Sequence, residues 1–395
     1  MTEIIYADNA ATTKLDLEAY EAMKPFLLND YSNPSQPYSF SRRAKKAMKE
    51  AREIIAECIN AEPDEICFTS GGTESDNWAI KGCAFSLGNK KNIVTSNIEH
   101  HAVIRSCEFL KTFGYRTIYL KANKNGIILP ETLNNEISEN TGIVSVMLAN
   151  NEIGTIQPIK ELAKIAHKKG ALFHTDAVQA MGHIPIDVKN LDVDLLSASA
   201  HKFNGPKGIG FLYVKNGSKL LSYINGGMQE NGLRAGTENI ASIVGMAYAL
   251  KRNVEELTKN INYIRELDTE MVTQLKKANI DFIRNGIEPH LPGNISLSFK
   301  GISGEMLLHR LDLMGIMVST GSACDSTKTQ ISHVLKAINI HQDYIEGTIR
   351  ISLSKENTME DVNCIVSGLT KIILQSDKKS KNYSKYHLAK NMLLP

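Results

Sequence analysis

The stretch SASAHKFNGPKGIG, Ser197 to Gly210, sets a histidine and a lysine, His201 and Lys202, between small residues and a Gly-Pro turn. The run DVDLLSA just upstream reads as a short buried strand, so Lys202 stands where a strand leaves a sheet, ahead of a chain reversal. An amine there can attack a carbonyl or carry a proton, although a solvated loop lysine is the commoner case. In ALFHTDAVQA another apolar run ends on Asp176, which is either a helix cap or the partner of a buried cation. In CFTSGGTESDN, Gly71, Gly72 and Thr73 lie between a strand and a helix. Glycines there allow close backbone approach, and the free N–H groups of a first helical turn favour an anion. The spacing is not that of a GxGxxG fingerprint, and Gly-Gly also simply makes turns.

A strand-end carboxylate, a strand-end lysine and an upstream phosphate cradle together match what pyridoxal phosphate requires: a Schiff-base amine, a group that keeps the pyridine nitrogen protonated, and an anion site. Two further positions suit a flat ring. TSNIEHHAV puts His100 just past a strand, where it can stack or shuttle protons, and LANNEIGT puts Asn151 where an amide can reach a phenolic oxygen. Each has an ordinary alternative, a core or surface histidine and a plain Asn turn.

The elements that must position these residues alternate. EICFTS precedes TESDNWAIKGCAFSL, NIVTS precedes EHHAVIRSCEFLKTFG, GIVSVML precedes IKELAKIAHKKG, and ALFHTDA follows. Such alternation predicts an α/β fold with a mainly parallel sheet and crossover helices, active residues lying beyond the carboxyl ends of the strands. From about residue 250 one long charged helix, KRNVEELTKNINYIRELDTEMVTQLKKA, leads into ISLSF, a helical GEMLLHRLDLMG and TIRISLS, a second, α+β unit. The division reads as a large domain over 15–257, a small α+β domain from 1–14 and 258–375, and a frayed polar tail over 376–395.

Bulk properties bound the function. The chain has 395 residues, 42% of them hydrophobic, enough for two cores, and 45 basic against 43 acidic side chains give +2. No global field argues for nucleic acid or membrane, so a small-molecule substrate is expected. The start MTEIIYADNAATT lacks a basic-then-apolar signal, and no apolar run approaches a membrane span, so a cytoplasmic location is expected. Cysteines 58, 67, 83, 107, 324 and 364 form no CxxC pair, which suggests neither a metal site nor a disulfide framework.

Read in order, TSGGTESDN, EHHAV, NNEIG, HTDAVQ, SAHKFNGPKGIG, GGMQENGLRAGTEN, STGSAC and IRISL resemble the cysteine desulfurases of the NifS/IscS group, within the fold-type I pyridoxal-phosphate enzymes of the class-V aminotransferase family. The resemblance runs from YADNAATT to IRISL, nearly the whole chain. It implies a mainly parallel seven-stranded sheet flanked by helices, a bound pyridoxal 5'-phosphate, and L-cysteine as substrate. By it Lys202 is the Schiff-base lysine, Asp176 the pyridinium partner, and His100 the ring-stacking acid–base group. Asn151 and Gln179 lie near the phenolic oxygen, and Gly72, Thr73, Ser199 and His201 hold the phosphate. Thr237, in RAGTEN, reaches the phosphate of the other subunit of a homodimer. Arg350 clamps the substrate carboxylate with its fork, assisted by Asn33.

STGSACDSTKTQISHVL sets Cys324 among small polar residues, a poor place for a buried structural cysteine and a good one for a nucleophile. The resemblance makes it the residue that takes sulfur from cofactor-bound cysteine as a persulfide, leaving alanine, and hands it to an acceptor such as an iron–sulfur scaffold or a tRNA-thiolation enzyme. The seven residues between Cys324 and SHVL match the long-loop branch of the group. Tyr38 stands where relatives often have histidine, and Asp325 follows the nucleophile where they usually have a small hydroxyl residue. A carboxylate there should raise the thiol pKa unless a cation such as Lys328 compensates. Ile331, in place of a proline, should loosen the loop's end. The rivals are a selenocysteine lyase or aminotransferase of the same fold and, from another class, a non-catalytic sulfur-transfer scaffold; Cys324 argues against aminotransfer.

Overall fold

The computed structural model describes residues 4–320 and 331–391, with side chains as far as 376. In chain order the strands are β1 (Ile5–Tyr6), β2 (Ile66–Thr69), β3 (Asn92–Ser96), β4 (Arg116–Leu120), β5 (Thr141–Ser145), β6 (Leu172–Asp176), β7 (Leu195–Ser199), β8 (Gly210–Val214), β9 (Phe282–Asn285), β10 (Asn294–Phe299), β11 (Ile316–Met317) and β12 (Thr348–Ser352).

Seven of them form the main sheet in the order β2-β8-β7-β6-β5-β3-β4. Only β8 runs antiparallel to its neighbours, β2 and β7. The mainly parallel seven-stranded sheet expected from the alternating elements is therefore present. Its strands carry apolar side chains on both faces, as crossover helices on both sides require. The two-residue period sends neighbouring side chains into different cores. Val144, Leu196 and Phe211 pack into one with Ile55, Leu162, Phe173 and Leu250. Ile143, Leu195 and Leu212 pack into the other with Trp78, Ile80, Cys83 and Val103. Edge strand β4 is half-exposed.

A third core lies around the antiparallel sheet β12-β10-β9, where Ile295, Leu297, Ile349 and Ile351 meet Leu267 and Met271 and the last helix. Strand β1 pairs with β11, so the start of the chain is tied to this later unit.

Two elements differ from the sequence reading. The single charged helix after residue 250 is two helices, Ile240–Glu255 and Leu257–Lys277, meeting at Glu256. The apolar stripe serves two cores: Met246 and Leu250 join the large sheet's core, whereas Ile264, Leu267 and Met271 face the third core, and one straight helix cannot present both. The segment read as a frayed tail continues the helix Met359–Asn391. No glycine follows Gly368 and no proline lies between it and Pro395, so the sequence carries no stop signal there.

Candidate active site

A cleft of about 860 Å³ opens at the carboxyl ends of the parallel strands. Strand β7 delivers Ser199, buried at 4% exposure, and then a short 3-10 turn, Ala200–Lys202, which ends the strand and turns Lys202 into the cleft before β8 returns. Lys202 Nζ donates to the carbonyls of Ala10 and Ala11 at 2.6 and 2.8 Å. Gln179 Nε2 donates to the same Ala10 carbonyl at 2.8 Å. The N-terminal YADNAATT stretch thus forms one wall of the site.

Strand β6 ends on buried Asp176, whose Oδ1 accepts from the Val178 N–H at 2.9 Å. Burial raises its pKa, while His100, that N–H and Lys202 oppose the rise. His100 follows β3 and caps the helix His101–Lys111, its Nδ1 accepting from Ala102 N–H at 3.2 Å. Burial pushes its pKa down, Asp176 pushes it up, and Lys202 and His101 push it down again. His201 Nδ1 lies 3.2 Å from Thr12 Oγ1, and burial with the nearby Lys202 and Lys207 lowers its pKa to about 4.

The 15-residue helix Gly72–Ser86 aims its first turn into the cleft. Its leading N–H groups have no intrahelical acceptor. Gly71, at φ +145°, lies where a Cβ would come 3.3 Å from Ser199 Oγ, and a Cβ on Gly72 would come 2.6 Å from Val178 Cγ2. Both positions are closed to side chains, which keeps the amides exposed to an anion.

Arg350, on β12, reaches the cleft from the second unit. Its Nη2 donates to Asp8 Oδ1 at 2.8 Å and its Nη1 to the Asn151 carbonyl at 3.0 Å. Its Nε is buried without a hydrogen-bond partner.

The donor set fits pyridoxal phosphate. Amides, hydroxyls and an imidazole converge where a phosphate would sit, a buried carboxylate stands ready for a protonated ring nitrogen, and an amine lies at the mouth of the turn for the aldehyde carbon. The orphaned Arg350 Nε suits a substrate carboxylate.

Gly72, Thr73, His100, Asn151, Asp176, Gln179, Ser199, His201, Lys202 and Arg350 therefore share one cleft. Asn33 and Thr237 do not line it. Asn33 Oδ1 accepts from Ser35 N–H at 2.9 Å within its own turn, and Thr237 is exposed beside a separate small depression. Cys324, Asp325 and Lys328 lie outside the described residues.

The sequence reading passed over several groups. Asp8, which orients Arg350, lies in YADNAATT, but only the fold brings it to β12. Glu99 stood beside His100 in EHHAV; it is fully buried, accepts from Ser96 Oγ and from Met147 N–H at 3.0 and 3.1 Å, and burial carries its pKa to about 8. Glu152, next to Asn151, accepts from Ser332 Oγ at 2.6 Å, and burial carries its pKa to about 7. A carboxylate in a polar run gives no sequence signal of burial.

The model of the aminotransferase class-V family matches residues 5–365. The cysteine desulfurase IscS of Dictyoglomus turgidum is 49% identical over 375 residues, 94% of this chain and 95% of that protein. A solved NifS-like protein superposes with a TM-score of 0.89 at 38% identity, covering 94% of this chain and 99% of the other. A structure of SspA in complex with cysteine gives 0.80 at 36% identity, over 90% of this chain and all of that one. With the lysine, carboxylate and amide cradle gathered in one cleft, the chain belongs to the class-V aminotransferase family, among its cysteine desulfurases.

Proposed function

We propose that this chain, a pyridoxal-phosphate-dependent cysteine desulfurase by its family, carries out its reaction with Lys202, Asp176, His100, Arg350 and Cys324, and passes the sulfur to an acceptor protein. The observation that carries the assignment is the convergence of Lys202 and Asp176, from the ends of adjacent strands, on the cleft that also receives Arg350.

Pyridoxal phosphate, when bound, supplies the electron sink that makes the substrate's α-proton acidic and its C–S bond cleavable. Gly72, Thr73, Ser199 and His201 hold the phosphate, and Asp176 holds a proton at the ring nitrogen. Arg350 binds the substrate carboxylate, its guanidinium steadied by Asp8 and the Asn151 carbonyl. Lys202 Nζ is the covalent anchor and takes the α-proton. His100, whose pKa burial lowers, would lie against the ring and move a proton near the sulfur. Asn151 and Gln179 serve the phenolic oxygen, and Asn33 assists the substrate.

Cysteine sulfur then moves to Cys324: the substrate C–S bond breaks, an S–S bond forms, and the products are alanine and a Cys324 persulfide. The other cysteines support this choice. Burial drives the thiols of Cys58, Cys67 and Cys107 to about 12 and that of Cys83 higher still, leaving them almost no thiolate at neutral pH. Cys364 is exposed but lies on the last helix, away from the cleft.

A homodimer in which Thr237 reaches the partner's phosphate accounts for its exposure here. The separate cores support a large unit over 15–257 and a small one from 1–14 and 258–375. An iron–sulfur scaffold or a tRNA-thiolation enzyme in the cytoplasm is the acceptor this reading favours; no helix among the described residues is long and apolar enough to cross a membrane. The test is purified protein with pyridoxal phosphate and L-cysteine: alanine and protein-bound persulfide should form in equal amounts. Alanine without persulfide on Cys324 would sink the carrier role.

A further inference from the structure

Helix Gly72–Ser86 brings a second acid beneath the cleft. Asp76 is 1% exposed, and one oxygen of its carboxyl lies with an oxygen of Asp176 and a ring nitrogen of His100 within 4.8 Å of one another. Two carboxyl groups so close in a buried place cannot both ionise without a compensating cation.

Their surroundings decide which keeps its charge. Asp176 accepts the Val178 N–H and has His100 and Lys202 within electrostatic reach. Asp76 has less. Its Oδ1 lacks a hydrogen-bond partner, and the nearest ring nitrogen, His174 Nε2, is 3.7 Å away. His174 shares β6 with Asp176 two residues on, so both point to the same face. Its ring is spanned between Ser145 Oγ at 2.8 Å and Ser197 Oγ at 2.9 Å. Burial drives its pKa to about 3, so it offers Asp76 no positive charge. Of the remaining neighbours, only the Ser197 hydroxyl favours the ionised form, and Glu99 would add like charge if it lost its own proton.

We propose that Asp76 is a positioning residue that keeps its proton beneath Asp176 and thereby leaves Asp176 as the carboxylate facing the cofactor. An O–H in this place is a donor where an ionised group would be a repelling charge. The inference rests on Asp176 as the ring-nitrogen partner.

The test uses the full chain without cofactor, in which Asp76 can be read independently of activity. Infrared spectra at neutral pH should show, beside the contributions of Glu99 and Glu152, a protonated-carboxyl component in the wild type that Asp76→Asn removes. An unchanged band pattern would overturn the proposal. A wild-type chain labelled with carbon-13 at its aspartate carboxyls gives the same reading without a substitution: one aspartate should stay protonated at pH 7, and full ionisation would overturn it. Pyridoxal phosphate affinity then tests the positioning. Asp76→Asn, the shape of the neutral acid with donors of its own, should stay within about threefold of wild type, while Asp76→Ala should weaken binding by about tenfold or more. Equal loss in both would overturn it. Asp176→Ala is the control, since unchanged affinity there would overturn the role of Asp176, which the spectra of the cofactor-free chain do not depend on.

Discussion

Strands β6 and β7 bear titratable groups at both ends, and the two ends handle charge differently. At their amino ends His167 lies 2.8 Å from Asp194 Oδ2 and 3.2 Å from Asp192 Oδ2, Lys215 Nζ lies 3.0 Å from Asp192 Oδ1, and Asp194 Oδ2 also accepts the Phe173 N–H at 2.7 Å. Each charge has an opposite partner, and water reaches the group. At the carboxyl ends Asp176, Asp76 and Glu99 are buried with raised pKa values, and Lys202 Nζ is held by two neutral carbonyls. Paired charges pin strands together, whereas a buried carboxyl either keeps its proton or needs a cation, which a ligand can supply. The comparison identifies which end of the same two strands is built for stability and which for a bound molecule.

The largest effect should come from the lysine. Lys202→Ala should abolish the visible band of covalently bound cofactor and all sulfur release while leaving the far-ultraviolet circular dichroism unchanged, because the side chain serves the cleft, where its Nζ donates to the Ala10 and Ala11 carbonyls, and is no part of an apolar core. Turnover at the wild-type rate would break the contrast between the two ends. Cys324→Ala should still bind L-cysteine, seen as a spectral change on mixing, since Lys202, Asp176 and Arg350 remain. It should release neither alanine nor transferable sulfur. Labelled sulfur still passed on by that variant would move the carrier role to another cysteine, and Cys364→Ala would then be the next variant to assay.

Asp176→Ala comes next. Losing the group that faces the ring nitrogen should weaken cofactor binding by about ten- to a hundredfold, the range for a hydrogen bond to a charged group, and slow α-proton exchange in deuterated water. Binding and exchange both at wild-type levels would reduce Asp176 to a cap for the Val178 N–H.

Much of this end of the sheet was legible in the sequence because each strand there runs straight into its chemical residue. HTDA, SAHK and TSGG carry the apolar run and the functional group together, so periodicity alone puts Asp176, Lys202 and Gly72 at strand ends. What was not legible depends on distant chain. Asp8 meets Arg350 across 342 positions, and Asp76 meets Asp176 only because a helix lies over β6. The amphipathic pattern of Gly72–Ser86 is weak, since Ser75, Asp76 and Trp78 are all buried, and nothing in TESDN says that its aspartate faces inward. The break at Glu256 was hidden for the opposite reason, a run from Met246 to Asn285 with no glycine or proline to mark it.

The smallest effect belongs to the amino ends and sharpens the comparison from its structural side. His167 has a raised pKa, first through its hydrogen bond to Asp194, with burial opposing and the charges of Asp194 and Asp192 adding to the rise. A histidine whose folded pKa exceeds its unfolded value, near 6.5, contributes stability that is fully present below that value and is lost as pH rises through the folded one. His167→Ala should therefore cost more at pH 6 than at pH 9. The side chain is 28% exposed, so solvent screening holds the pH-dependent part to about 1 kcal/mol or less, a difference in Tm on the order of 2 °C. The measurement is the Tm of wild type and variant across that range, both loaded with cofactor. Cofactor affinity should not change, because this group sits at the far ends of the strands from the cleft. A gap in Tm that widens toward alkaline pH would mean His167 is buried neutral, and would erase the distinction between paired charge at one end of β6 and β7 and buried carboxyls with raised pKa values at the other.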